Sequence, residues 1–180
     1  MGHEIETKVL DIHAYDVKAC LAELGALKVR ETRLSVDWFR PKGVRHGEDP
    51  WYLRIRSNSE GKHEVTWKGK PEILGVARKH KEINFATEHP SELTDLFEEI
   101  GLEKYAHQEK DRTSYRLKSW LIEIDSYPGM PAFLEIEGTS EEHIREAITL
   151  LRLDTNRTWA DGERTLIEKV YGLDWNTMKF

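Results

Sequence analysis

With one cysteine in 180 residues, Cys20, the chain has no means to form an internal disulfide or a cysteine-based zinc cluster. Its place in a helical pattern reads as a packed thiol rather than a nucleophile. A secretory apolar leader is missing, and so is any long apolar run, so a soluble cytoplasmic protein without membrane contact is expected. An excess of positive charge is missing as well. The 27 Lys and Arg face 33 Asp and Glu, for a formal net charge of -6, which argues against a nucleic-acid binder. What the chain does have is charge of both signs, 33% of its residues, beside 38% hydrophobic residues. That apolar content suffices for one domain over residues 1–180 with its own core, and the charge is patterned locally.

Glu4-Ile5-Glu6-Thr7-Lys8 shows the pattern. As a strand it turns Glu4, Glu6 and Lys8 to one face and Ile5, Thr7 and Val9 to the other. Adjacent like charges repel on a merely structural face, whereas two carboxylates and an ammonium suit a polar cavity for metal ions and an anion. The device recurs along the chain. Arg54 and Arg56 share a face; Glu64, Thr66 and Lys68 oppose Val65 and Trp67; His80, Glu82 and Asn84 alternate with Lys81, Ile83 and Phe85. Lys110 and Arg112 share a face, Glu123 and Asp125 oppose Ile122 and Ile124, and Glu135 and Glu137 flank Ile136. A single such pair reads equally well as a half-buried strand with a solvated side. The repetition calls for a shared interior, because a closed barrel lined this way must hold water or a highly charged ligand.

Amphipathic helices separate these strands. His13 to Ala26 carries Val17, Cys20, Leu21 and Leu24 at helical spacing, with Asp11 as its N-cap and Gly25 near its end. A second helix has Ser91 as cap, Leu93, Leu96, Phe97 and Ile100 as its stripe and Gly101 as its stop. A third runs from about Ser140 to Leu151, with Thr139 and Glu142 as a capping box and Ile144, Ala147, Ile148 and Leu151 as its stripe. Arg30 to Arg40 favours a strand, 110–115 and 121–125 a hairpin about Lys118-Ser119, and Pro41 to Pro50 a long polar loop of the kind that covers a binding mouth. The tail from Asn156 to Phe180 reads as a closing helix or strand around Leu166, Ile167, Val170 and Tyr171.

Arginine forks and lysines grip phosphate oxygens, and carboxylates at close range hold Mg2+ or Mn2+, so these strands together describe a polyphosphate site. Glu4-Ile5-Glu6-Thr7-Lys8 resembles the E-x-E-x-K signature of the CYTH superfamily, the triphosphate tunnel metalloenzymes, which include class IV adenylyl cyclases, thiamine triphosphatases and inorganic triphosphatases. The resemblance continues in order through Asp37-Trp38-Phe39, Arg54-Ile55-Arg56, Lys68, Glu82, Lys110-Asp111-Arg112, Asp125 and Glu135-Ile136-Glu137.

The resemblance implies an α+β fold with an antiparallel eight-stranded β-barrel, the triphosphate tunnel, flanked by helices. It implies metal binding and catalysis at Glu4, Glu6, Glu135 and Glu137, metal binding also at Asp125, and substrate binding at Lys8, Arg54, Arg56, Lys68, Glu82, Lys110 and Arg112. The cofactor implied is Mg2+ or Mn2+, the substrate ATP, inorganic triphosphate or thiamine triphosphate, and the assembly a monomer or homodimer. His80 and Asn84 stand where many triphosphatases of the family read Arg and Glu, which inclines the reading toward a cyclase. The alternatives are a triphosphatase and a non-catalytic polyphosphate or nucleotide binder.

Overall fold

Alternating strand pattern extends well beyond the charged pairs and accounts for most of the architecture. A computed structural model describes residues 2–45 and 47–180; Met1 and His46 lie outside them. The strands are β1 (Gly2–Val9), β2 (Leu27–Pro41), β3 (Tyr52–Asn58), β4 (His63–Lys68), β5 (Glu72–Leu74), β6 (Ala77–Thr87), β7 (Leu102–Leu117), β8 (Trp120–Ser126), β9 (Phe133–Gly138) and β10 (Thr158–Trp159). They follow the order β10-β1-β9-β8-β7-β2-β3-β4-β6-β5, and β1 also pairs with β6. That last pairing closes eight of the strands into an antiparallel barrel, leaving β5 and β10 as short additions outside the ring.

Register decides what the barrel contains, since residues directly opposite on paired strands share a face. Lys8 faces Glu135 and Glu6 faces Glu137; Glu123 faces Glu135; Arg112 faces Asp125; Thr32 faces Arg112 and Leu34 faces Lys110. Val36 faces Arg56, Arg54 faces Thr66, Lys68 faces Glu82, and Glu4 faces His80. The row thus returns to β1 with every charged pair of the sequence on one side of the sheet, the interior.

The outward positions build the core. Val9, Ile122, Ile124, Leu134 and Ile136 pack with Val17 and Leu21 of α1 (Ala14–Glu23) and with Ile144, Ala147 and Ile148 of α3 (Glu141–Leu150). On the opposite arc Phe39, Leu53, Ile55 and Val65 meet Phe97 of α2 (Pro90–Glu99). Each such side chain contributes about 1.5–3 kcal/mol on burial. Ile136 is fully buried between Glu135 and Glu137, so its apolar anchorage on one side of the sheet is what aims both carboxylates to the other.

Several local features differ from the sequence reading. The cap of α1 is His13, not Asp11, whose φ of 51° takes it out of helical geometry and whose carboxylate accepts from Tyr171. In α2, Pro90 occupies the first turn and moves the cap from Ser91 to His89; Phe97 is buried while Leu96 and Ile100 stay exposed. Ser140 rather than Thr139 caps α3, accepting from the His143 amide at 3.1 Å. Gly25 and Gly101 end their helices as expected, both at positive φ. Strand β7 starts at Leu102 because it pairs with β2 along almost its whole length.

The tail forms α4 (Glu163–Thr165), which continues as a π-helical turn over Leu166–Val170, and then a 3-10 turn at Trp175–Thr177. Leu166, Ile167, Trp175 and Met178 join Leu34, Val36, Trp38 and Phe133 of the interior row in one apolar cluster, so the tail stops that part of the barrel. Among the described residues no helix is long and apolar enough to cross a membrane. Ile167 is wholly buried, and Ile167→Ala is expected to cost about 2–5 kcal/mol of stability; a shift of the urea midpoint worth under 0.5 kcal/mol, by the rough range seen for surface substitutions, would show that the tail is not part of the folded unit.

Candidate active site

One cavity of about 270 Å³ runs through the barrel interior. Its walls are segregated by strand. Adjacent β1 and β9 supply Glu4, Glu6, Glu135 and Glu137, while β3, four places from β9 in the closed ring, supplies Arg54 and Arg56. Lys68 of β4 and Lys110 and Arg112 of β7 complete the basic side.

All the sequence-predicted site residues lie in this interior. Lys68 pairs with Glu4, with Glu82 at 2.7 Å, and more distantly with Glu6 at 3.9 Å. Lys8, itself buried, reaches Glu135 at 3.0 Å and Glu6 at 3.7 Å. Arg112 makes a bidentate pair with Asp125, both bonds 2.6 Å, and also contacts Glu123 and Glu135. Lys110 donates to Asp125 at 2.8 Å. Asp125 is fully buried with both oxygens engaged, so it reaches a cation only when Arg112 or Lys110 turns to another anion.

Arg78 and Glu163, which the sequence reading passed over, and His80, to which it gave no site role, belong to the same network. Arg78 grips Glu6 at 2.7 Å from Nε; it sits two residues before His80 on the same face, and carrying the alternation one step back along the strand finds it. His80 is buried and contacts Glu4 at 2.5 Å, so it is a hydrogen-bonded member of the interior. Glu163 of α4 receives Lys110 at 3.0 and 3.1 Å and is also bonded by Tyr127. No periodic signal marks Glu163, because the turn that carries it enters the barrel only through tail packing.

Burial pushes the Glu6 carboxyl up, but Arg78, Lys68 and Lys8 outweigh it and hold the group well below the usual carboxylate range. Lys68 is likewise raised to a value above the ordinary lysine range by Glu6 and Glu4 against the cost of burial. Two groups go the other way. Burial, then the charges of Glu4, Glu6, Glu123 and Glu135, pushes Glu137 up to about 7. Burial, then the neighbouring Arg54 and Arg112, lowers Arg56 from the usual arginine range, with Glu64 at 2.6 Å only partly compensating. Carboxylates thus crowd around Glu137, and Arg56 has Arg54 and Arg112 as like-charged neighbours beside its partner Glu64.

Two sets of ligand atoms within 4.8 Å of one another offer places for a cation: Glu4, Glu6 and His80, and Asp125, Glu135 and Glu163. They are carboxylate oxygens with a single imidazole, a donor set suited to a hard divalent ion.

The raised Glu137 gives a stability signature. Its carboxyl is protonated in both folded and unfolded protein below about 4.5, and the cost of its folded-state charge is fully present above about 7. In EDTA-treated protein, Glu137→Gln is expected to raise the melting temperature at pH 8 and leave it unchanged at pH 4. An equal change at both values would show that Glu137 is not charge-strained.

The family model described as the CYTH domain matches residues 2–171. A Methanocaldococcus jannaschii protein named "putative adenylate cyclase" is 31% identical over 85 residues, and the match spans 47% of this chain and 47% of that relative, about half the length of each. Among solved structures, a Vibrio parahaemolyticus protein also described as a "putative adenylate cyclase" superposes with a TM-score of 0.79 at 14% identity, covering 93% of this chain and 99% of its own. A Hippeastrum protein, described as a "putative adenylyl cyclase" with a dominant triphosphatase activity, gives a TM-score of 0.67 at 15% identity and 96% coverage of both chains. At these identities the two structures establish the likeness of fold.

Proposed function

The chain belongs to the CYTH family, and from that premise we propose that its barrel is the active site of a divalent-metal-dependent adenylyl cyclase of the class IV type, converting ATP to cyclic AMP and pyrophosphate. The observation that carries the reading is the pair of opposite electrostatic demands inside one cavity: carboxylates crowded around Glu137 and arginines crowded around Arg56. A triphosphate with its cations meets both at once.

In this reading Glu4, Glu6, Glu135 and Glu137, with Asp125, hold Mg2+ or Mn2+: Glu4 and Glu6 lie with His80, and Asp125 and Glu135 with Glu163, close enough to share an ion, and Glu137 adds a carboxylate near Glu4, Glu6 and Glu135. A bound divalent cation supplies charge neutralisation on the phosphate oxygens. The chain's own cations do the rest of the binding. Arg56, Lys68, Lys110 and Arg112, with Lys8 and Arg78, exchange their present carboxylate partners for phosphate oxygens, and with Arg54 they fix the chain of phosphates lengthwise. Catalysis is then positioning: the ribose 3'-oxygen attacks the α-phosphorus in line with the bond to the leaving pyrophosphate, in a barrel that limits water. Asn84, exposed on the cavity wall, donates to Glu82 and adds no carboxylate there, which supports cyclisation over water activation.

Hydrolysis of an inorganic, thiamine or nucleoside triphosphate is the second reading, supported by the activity named for the Hippeastrum protein. Product analysis with ATP, inorganic triphosphate and thiamine triphosphate, each with Mg2+ or Mn2+, separates the two. Cyclic AMP and pyrophosphate are expected, falling roughly 100-fold or more in Glu4→Gln and Glu6→Gln protein. Orthophosphate as the product would replace the cyclase reading by the triphosphatase; ligand binding without turnover would refute both.

A further inference from the structure

Among the described residues of the cavity wall, His80 alone can offer a neutral nitrogen lone pair to a cation. The ladder that closes the barrel fixes its place, since β6 runs antiparallel to β1 with His80 opposite Glu4 and Arg78 opposite Glu6. His80 is 4% exposed, and its Nε2 lies 2.5 Å from Oε2 of Glu4 and 3.9 Å from Oε2 of Glu82. Strand pairing thus delivers an imidazole to the same spot as two carboxylates, and ligand atoms of Glu4, Glu6 and His80 all lie within 4.8 Å of one another.

Oxygens around that nitrogen have capacity to spare. Arg78 engages Oε1 of Glu6, whereas Oε2 of Glu6 has Lys68 at 3.9 Å. Oε2 of Glu82 is shut off from solvent and accepts no hydrogen bond among the described residues, although the Lys68 ammonium is 2.7 Å away. A buried acceptor is normally paired. Once Lys68 turns to a phosphate, as the proposed function requires, this oxygen and those of Glu4 and Glu6 are left beside His80. The donor set is therefore mixed. A lysine or arginine opposite Glu4 could only neutralise the carboxylates, while a neutral imidazole adds a ligand to them. Mg2+ takes oxygen ligands and keeps several waters, whereas transition cations accept imidazole, and within that series carboxylates suit Mn2+.

We infer that His80 is a nitrogen ligand of the cation held by Glu4 and Glu6, and that it selects Mn2+ over Mg2+ at this position. The inference rests on the reading of Glu4 and Glu6 as cation ligands and names the ion of their site. Imidazole binds a metal as the neutral base, so the proton that Nε2 donates to Glu4 leaves as the cation enters. The second set, Asp125, Glu135 and Glu163, holds no imidazole and is an oxygen site open to Mg2+. The two positions in one cavity thus differ in the ion they prefer.

Titrations of metal-free protein without nucleotide test this, with Mn2+ followed by loss of the free-ion EPR signal and Mg2+ by competition. Wild type is expected to bind Mn2+ at least about 10-fold tighter than Mg2+; His80→Gln, which keeps a polar side chain but loses the imidazole, should weaken Mn2+ about 10-fold and Mg2+ less than about 3-fold. Pulsed EPR of Mn2+-loaded wild type, with and without a methylene-bridged triphosphate that carries no nitrogen, gives a readout independent of any variant. The expected signal is nitrogen modulation from a directly bound imidazole. Its absence in both states, or an equal weakening of both ions in His80→Gln, would overturn the ligand role and leave His80 a support for Glu4. Nitrogen modulation without turnover of any triphosphate would instead uphold the site and overturn the catalytic reading alone.

Discussion

Closure of β1 onto β6 is the constraint on which the rest depends. Once the ring is closed, every inward side chain is taken from bulk water, and charge there persists only where a neighbouring strand brings its counter-charge within reach. The register supplies those partners: Lys8 beside Glu135, Lys68 beside Glu82, Arg112 beside Asp125. A one-residue slip of any strand would send its charged row outward and its apolar row inward. The helices α1 and α3 oppose such a slip, because Val9, Ile122, Leu134 and Ile136 are their contact surface. Packing outside the barrel and charge pairing inside it therefore enforce the same alignment.

That alignment leaves the charges locally unbalanced although they are globally mixed. The acidic strands β1, β9 and β8 are consecutive in the ring, so Glu137 sits among Glu4, Glu6, Glu123 and Glu135. Arg54 and Arg56 lie across from them, with Arg112 near enough to add to their mutual repulsion. Under the proposed function the internal salt bridges are place-holders, each Lys or Arg now bound to a carboxylate being a cation for an incoming phosphate. The tail adds to both functions, through Leu166 and Ile167 in the core, Glu163 on Lys110, and Arg164 on Asp49 and over the Trp175 ring.

The charged pairs of β1, β3, β7, β8 and β9 were legible because a two-residue period survives any change of register or neighbour. Arg78 was one step outside the stretch in which that period was followed. The helix caps were less legible, since Asp11, Ser91 and Thr139 each lie beside a better-placed competitor and backbone geometry chooses among them. Asp49, Glu163, Arg164 and Trp175 carried no pattern at all. They come from a loop and from short irregular turns, and only the chain path brings a residue at position 49 against one at position 164.

Sequence alone determined which side chains would share a face and which apolar residues would oppose them, because side-chain alternation is a property of a single strand. It also carried the family's order of motifs along the chain. Tertiary structure decided which faces meet, which carboxylate is left without a cation, and how the tail completes the cavity. Those depend on ring order and on contacts between residues far apart in sequence, which local spacing does not encode.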